Sequence, residues 1–125
     1  MLQRETQGFY VKLTSYDIEC IQKAKALIDA DMSRHHTIAE IARHAGISET
    51  KLKRGFKALI GTGLYHYLIE IRLEKALYLV EKSDASLKEI SRALGYHGIS
   101  SFITAFKKKH GKSPAALRMD SLPDY

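Results

Sequence analysis

The chain has 125 residues, 45% of them hydrophobic and 27% charged, with a formal net charge of +6 at pH 7. This composition is typical of one globular domain or two very small ones, and it excludes a membrane-spanning protein, because no apolar run approaches the roughly 20 residues that cross a bilayer. The single cysteine, Cys20, excludes an internal disulfide bond, and we expect a cytoplasmic protein.

Residues 1–14 are predicted to be an arm or the remnant of a linker rather than a helix. Gly8 interrupts them, and Phe9-Tyr10-Val11 favours extended structure. A helix follows and ends near Asp31, with Asp17 as its expected N-cap and Ser15 as the alternative. Its apolar residues recur at helical spacing: Ile18, Ile21, Ala24, Leu27 and Ile28.

Residues 37–61 have the pattern of two short helices joined by a tight turn. Thr37 and Glu40, three residues apart, are the signature of a capping box. Gly46 stands where a left-handed residue ends a helix at little cost. Ser48 is then expected to cap the second helix.

Residues 64–82 form the longest periodic stretch, and they contain neither glycine nor proline. We therefore predict one helix of about five turns. Near the end of the chain, Pro114 is well placed to open a short helix that ends near Met119. Residues 121–125 are expected to be a frayed tail.

The pattern of residues 37–61 occurs a second time in residues 86–111. Ser86 and Glu89 repeat the capping box, Gly95 repeats the turn, and a helix is predicted from His97 to His110. Each copy has the pattern of a helix-turn-helix. The predicted fold is therefore all-α, homeodomain-like, with seven helices and no sheet. It places one domain at residues 15–120, with a first unit at about 17–62, a linker helix at 64–82 and a second unit at about 86–119.

The excess positive charge lies in the two copies. Residues 37–58 carry five basic and two acidic side chains, and residues 86–112 carry six and one. The rest of the chain carries nine basic and eleven acidic side chains. Charge concentrated in repeated units is typical of a surface that binds a polyanion.

The second helix of a helix-turn-helix reads bases in the major groove of DNA. Its outward residues in each copy are therefore our candidate contacts. For bases these are Thr50, Lys53 and Arg54 in the first copy, and Ile99, Ser100, Ile103 and Thr104 in the second. For phosphates they are Ser48, Lys51, Lys57, His97, Lys107 and Lys108, with Lys109 as a further cation.

The two copies differ on this outward face. Arg54 can form a bidentate bond with guanine, whereas the second helix has small and apolar residues there and no arginine. We expect weaker base reading but more phosphate contact from the second copy. The linker helix is roughly 28 Å long and one turn of DNA roughly 34 Å, so both helices could enter successive major grooves from one monomer.

At these residues the chain resembles the AraC/XylS family of bacterial transcription regulators, over roughly residues 17–119. The second copy carries the most specific matches, ISRALGY at 90–96 and SFxxAFKKKHGKSP at 101–114. RLEKA at 72–76 also matches, whereas Thr104 departs from a pattern in which arginine is common.

The resemblance implies two helix-turn-helix units bridged by a long helix, and binding near promoters to activate or repress transcription. It also implies double-stranded promoter DNA and RNA polymerase as partners. Most members carry a separate ligand-binding or dimerisation domain, and a few consist of this domain alone. We therefore expect a monomeric DNA-binding domain from a larger regulator, with any dimerisation through an upstream domain.

Other functions find less support in the sequence. The histidines show no ligand spacing and there is no glycine-rich phosphate loop, so we expect no metal, no cofactor and no catalytic residue. Glu70, Glu74 and Glu81 are expected to pair with Arg72, Lys75 or the first helix of each copy. The alternative function is a module that docks on RNA polymerase or another protein through Ile99 and Ile103, with DNA contact secondary.

Overall fold

The computed structural model describes residues 3–6, 9–31 and 33–120, and in that part of the chain the predicted all-α fold with seven helices is confirmed. The predicted tail, residues 121–125, lies outside the described residues. The helices are α1 (Ser15–Ala30), α2 (Ile38–Ala45), α3 (Glu49–Ile60), α4 (Leu64–Lys82), α5 (Leu87–Ala93), α6 (Ile99–His110) and α7 (Pro114–Asp120).

A short sheet precedes α1, where the sequence predicted none. Strands β1 (Gln3–Thr6) and β2 (Phe9–Lys12) form a short antiparallel hairpin, with Gln3 opposite Lys12 and Thr6 opposite Phe9. The aromatic and β-branched residues that favour extended structure thus pair with the segment before them. The hairpin lies against α3.

The chain divides into two compact units. Unit 1 comprises Met1–Ala30 and His36–Ile69, and unit 2 comprises Asp31–His35 and Glu70–Tyr125. The boundary therefore falls within α4, and the loop that joins α1 to α2 belongs largely to unit 2. No sequence pattern predicts that residues 31–35 belong to unit 2.

The core of unit 1 lies between α1, α2 and α3. Gly55 allows α3 to approach α1 closely, because a Cβ there would lie 2.5 Å from Cδ1 of Ile21 and 3.1 Å from Cδ2 of Leu13. The buried apolar residues of this unit are Cys20, Ile21, Ala24, Ile28, Ile41, Ala42, Ala45, Leu52, Phe56, Ala58, Leu64 and Leu68.

Unit 2 has a core of its own, centred on two phenylalanines of α6. The rings of Phe102 and Phe106 lie 5.8 Å apart in a tilted arrangement, which is favourable for aromatic pairs. The other buried members of this cluster are Leu73, Ala76, Val80, Ile90 and Leu94. Each helix-turn-helix therefore packs around its own apolar centre.

Most predicted helix ends are confirmed, and two differ. Both capping boxes form, and α4 spans the predicted residues. Asp17 is not the N-cap of α1: it lies in the first turn, where its N–H donates to Oγ1 of Thr14 and its carboxylate accepts from the N–H of Thr14. Helix α6 starts at Ile99 rather than His97, because Gly98 has extended backbone.

Candidate nucleic-acid interface

The turn of the first helix-turn-helix is held by the helix before it. Gly46 has the left-handed backbone (φ 79°) that the sequence predicts, and its N–H bonds to the Ala42 carbonyl. The hydroxyl of Tyr16 donates to the Gly46 carbonyl at 2.8 Å. Since Oγ of Ser48 then caps α3 at the N–H of Lys51, the direction in which α3 leaves the turn is fixed.

The predicted base- and phosphate-contacting residues of the first unit share the side of α3 that faces away from the core. Thr50 and Arg54 are exposed, whereas Lys53 and Lys57 are half-buried. The opposite side of the helix consists of the buried residues Leu52, Gly55, Phe56 and Ala58. The structure therefore brings the predicted residues of this unit together on one surface.

Lys51 lies on this surface, but its ammonium has a partner inside the protein. Its Nζ lies 3.2 Å from Oδ1 of Asp17, a residue with only 2% of its surface exposed. Backbone hydrogen bonding from Thr14, reinforced by Lys51, lowers the pKa of the Asp17 carboxyl below its ordinary value. Lys51 thus links α3 to the start of α1, which the sequence did not indicate.

Lys53 also has a partner that sequence reasoning missed. Its Nζ lies 5.3 Å from the ring centroid of Tyr65, in the first turn of α4. The tyrosine itself is 62% exposed. An aromatic ring at this distance attracts an ammonium group, so the helix after the helix-turn-helix orients one of the predicted reading residues.

The second reading helix, α6, presents a smaller and less charged surface. Ile99, Ser100 and Thr104 are exposed, and His97 is exposed just before the helix. Ile103, which we predicted to face outward, is half-buried and packs against the core of unit 2. Its exposed surface is therefore smaller than the sequence pattern indicated.

The start of α6 differs from the start of α3. Its N-cap is Gly98, and no side chain of the described residues caps it. The first N–H groups of a helix that lacks a side-chain cap remain available to an anion. This feature favours a phosphate near Gly98, next to the predicted contact His97.

The lysines at the end of α6 divide into two groups. Lys107 and Lys108 are exposed, as a phosphate-contacting role requires. Lys109 forms an ion pair with Glu70 of α4 and is only 22% exposed, so it stabilises unit 2. The helix also ends in a left-handed residue, Gly111 (φ 84°).

The cations of the RLEKA segment point into unit 2. Nη2 of Arg72 lies 2.7 Å from Nε2 of His35, and its guanidinium lies 5.1 Å from the ring centroid of Tyr96. Lys75 is buried and donates to the carbonyl of Arg34 at 2.9 Å. Arg72 and Lys75 thus both contact the loop before α2, which the sequence did not indicate.

Two other kinds of feature are absent from the described residues. They include no group of three or more histidine, cysteine, aspartate or glutamate side chains that could hold a metal ion. No helix among them is both long and apolar enough to cross a membrane. Unit 2 also has an open groove among its described residues, lined by Glu74, Leu77, Tyr78, Glu81, Lys109 and His110.

Comparison with known proteins is consistent with this geometry. A family model described as a helix-turn-helix domain matches residues 41–120. The HTH-type transcriptional regulator GlxA of Rhizobium meliloti is 34% identical over 101 residues, which are 81% of this chain and 30% of that protein. A putative AraC-like transcription regulator of Streptomyces antibioticus is 30% identical over 82% of this chain and 34% of its own length.

Solved structures are similar as well. The C-terminal domain of AraT, a response regulator from Geobacillus stearothermophilus, has a TM-score of 0.68 and 29% identity, covering 91% of this chain and 92% of that one. The DNA-binding domain of the global transcriptional factor AdpA, solved with a target DNA, has a TM-score of 0.67 and 25% identity, covering 82% and 92%. The chain spans about a third of the length of the curated relatives it matches.

Proposed function

Because the chain belongs to the AraC/XylS family of helix-turn-helix transcription regulators, we propose that it recognises promoter DNA with two helices of unequal chemistry. In this proposal α3 supplies most of the hydrogen-bonded base reading and α6 supplies most of the attraction to phosphates. The observation that carries it is the contrast between the two exposed surfaces: arginine and lysine on α3, serine, threonine and isoleucine at the start of α6.

On α3, the proposed base contacts are Thr50, Lys53 and Arg54. Arg54 is exposed one turn after Thr50, so both can face the same groove. A guanidinium can bind the two acceptors of guanine at once, and a threonine methyl can contact the methyl group of thymine. Arg54 is thus the residue most able to distinguish one base pair from another.

On α6, the proposed base contacts are Ile99, Ser100, Ile103 and Thr104, and they depend on shape more than on hydrogen bonds. Phosphate contacts are assigned to Lys107 and Lys108, to His97 beside the start of α6 and, in the first unit, to Ser48 and Lys57. Exposure of Lys107 and Lys108 supports this assignment. Each cation that neutralises a phosphate releases counterions, which makes binding strongly salt-dependent.

The proposal is tested by selecting bound sequences from randomised duplex DNA and then measuring affinity for the selected site at several salt concentrations. Arg54→Ala should cost about 1–3 kcal/mol on the selected site and relax the preference at one base pair. Lys108→Ala should weaken binding to all sequences alike and reduce the salt slope by about 1. The selected DNA sequences should share two separate preferred segments, one for each reading helix.

Two results would contradict the proposal. Equal loss of affinity for every sequence in Arg54→Ala would remove its base-reading role. A selection that returns no preferred sequence from the wild-type chain would remove sequence-specific binding altogether.

We further propose that the protein regulates transcription in the bacterial cytoplasm, as an activator that contacts RNA polymerase while bound to DNA. The transcriptional activator RhaR of Klebsiella pneumoniae, 27% identical over 81% of this chain, supports activation over repression. The alternative, protein docking with DNA contact secondary, is not favoured, because Ile103 is half-buried and offers little of the apolar surface it requires.

A further inference from the structure

The two lysines on either side of Leu52 in α3 are each held by a side chain from another helix of unit 1. Lys51 is paired with Asp17 of α1, and Lys53 lies over the ring of Tyr65 in α4. Neither Asp17 nor Tyr65 belongs to the helix-turn-helix. We propose that both are positioning residues for base reading by α3, Asp17 acting through Lys51 and Tyr65 through Lys53. This inference rests on the proposed function and adds two residues to it.

Asp17 is suited to this role because it is itself fixed. Its carboxylate accepts from the N–H of Thr14 at 3.0 Å, and its N–H donates to Oγ1 of Thr14 at 3.0 Å. The side chain is 3% exposed, and it faces Lys51 as its cationic partner. The link therefore ties the first turn of α3 to a rigid point at the start of α1.

The consequence for Lys51 is a change of role. The Lys51 side chain is 52% exposed, but its charge is already balanced by the Asp17 carboxylate. In this proposal it therefore neutralises no phosphate and contributes nothing to the salt dependence of affinity. Thr50 is its neighbour in the same turn of α3. Lys51 thereby determines where Thr50 stands relative to the groove, and it is not a phosphate contact.

Tyr65 acts on the next lysine. Its ring is exposed and the ammonium of Lys53 lies over it, so the flexible lysine side chain has a preferred direction before DNA arrives. A side chain that is already oriented loses less conformational freedom on binding. The interaction uses the face of the ring, and it does not require the phenolic hydroxyl.

The role of Lys51 is tested by measuring the slope of log affinity against log salt for the full chain on its selected site. Lys51→Met should leave the slope unchanged, whereas loss of a phosphate contact would reduce it by about 0.9. Lys57→Met is the matched comparison on the same helix. A slope reduced by about 0.9 in Lys51→Met overturns the positioning role.

The link to Asp17 is tested by base preference, the ratio of affinities for the selected site and a single-base variant. Asp17→Asn and Lys51→Met should each lower this ratio about threefold, the effect of losing one partly exposed ion pair. The double variant should lower it no further, because both changes break the same link. Additive losses would overturn the coupling. Thermal unfolding of each variant verifies that it is folded.

Tyr65 is tested with two substitutions that separate its ring from its hydroxyl. Tyr65→Phe should retain base preference, and Tyr65→Leu should lower it about threefold at the base pair that Lys53→Met also affects. In a Lys53→Met background, Tyr65→Leu should have no further effect on the ratio. If Tyr65→Phe lowered base preference as much as Tyr65→Leu, the hydroxyl would be the contributing group. That result would overturn the proposed role of the Tyr65 ring.

The outcomes also separate this inference from the function on which it rests. If the wild-type chain selects no sequence, the proposed function fails and the positioning roles fail with it. If the wild type is selective, and Arg54→Ala relaxes that selectivity while the Asp17 and Tyr65 variants do not, only the positioning roles fail.

Discussion

His35, in the loop before α2, packs its imidazole against Gly95, the turn glycine of the second helix-turn-helix. A Cβ on Gly95 would lie 2.6 Å from Cδ2 of His35, and Gly95 has a left-handed backbone with φ 88°. The same imidazole accepts a hydrogen bond from Arg72 at 2.7 Å. The turn of the second unit is therefore formed against a residue some 60 positions earlier in the sequence.

This contact predicts that Gly95→Ala destabilises unit 2 by more than backbone strain alone. Gly111 is the matched control, because it also has a left-handed backbone but no atom lies within 4 Å of an added Cβ. We expect Gly111→Ala to cost about 1 kcal/mol of unfolding free energy and Gly95→Ala about 2–3 kcal/mol. Urea unfolding followed by circular dichroism measures both. Equal losses would mean that His35 moves aside at no cost.

The close approach of α3 to α1 leads to a second prediction. Alanine usually stabilises a helix interior relative to glycine by roughly 1 kcal/mol. At Gly55 the sign should reverse, because the new methyl group would overlap Ile21, which is fully buried. We expect Gly55→Ala to cost about 1–2 kcal/mol of unfolding free energy.

The control for Gly55→Ala is Gly63→Ala, since no atom lies within 4 Å of a Cβ at Gly63. That substitution should change the unfolding free energy by less than about 0.5 kcal/mol. Urea denaturation measures the unfolding free energy of both variants. A Gly55→Ala protein as stable as Gly63→Ala would contradict the proposed overlap with Ile21.

Sequence reasoning predicted the features whose partners are close in the chain. The capping boxes join residues three apart, and the turn glycines need only their own backbone, so both leave a local signature. The bounds of α4 were predicted because neither glycine nor proline interrupts its period.

What it missed depends on residues that meet only in the fold. Arg72 and His35 are 37 residues apart, and Lys75 and Arg34 are 41 apart. The same holds for Lys51 and Asp17, which are 34 residues apart. On one helix, exposed and partnered lysines have the same spacing, so periodicity does not distinguish them.

The environment of Asp17 predicts how stability depends on pH. Hydrogen bonding from Thr14 and the nearby Lys51 lower its pKa below the ordinary value of 3.8. A carboxyl whose pKa is depressed in the folded state stabilises the fold above its unfolded-state pKa, and this contribution is lost as the pH falls through the folded-state value. The stabilisation should thus be complete at neutral pH and disappear below about pH 4.

The measurement compares wild type with Asp17→Asn by urea unfolding from pH 7 to pH 2.5. The wild type should be the more stable at neutral pH, and the difference should shrink only below about pH 4. Hydrogen bonding from Ser86 also lowers the pKa of Glu89. Because Glu89 is present in both proteins, its contribution cancels in the difference between their unfolding free energies. A difference that is constant over the whole range would mean that the Asp17 carboxylate gains nothing from its partners.

Arg118 of α7 is half-buried, and we expect the stability of unit 2 to depend strongly on its charge. Its guanidinium donates to the carbonyls of Ala85 at 2.7 Å and Val80 at 3.2 Å, and it reaches those of Ser83 and Leu79 at 3.3 and 3.4 Å. These carbonyls include the last ones of α4, where a cation also opposes the negative end of the helix dipole.

Arg118→Ala should therefore cost about 2–3 kcal/mol of unfolding free energy, because it leaves several half-buried carbonyls without a charged donor. Arg118→Lys should recover only part of this loss, since one ammonium does not replace a planar group with five N–H donors. Lys112→Ala is the control, because its ion pair with Asp120 is more than half exposed and should contribute less than about 0.5 kcal/mol. Urea unfolding of the three variants gives the comparison. If Arg118→Ala were as mild as Lys112→Ala, water would be satisfying these carbonyls, and α7 would not be required to hold the end of α4.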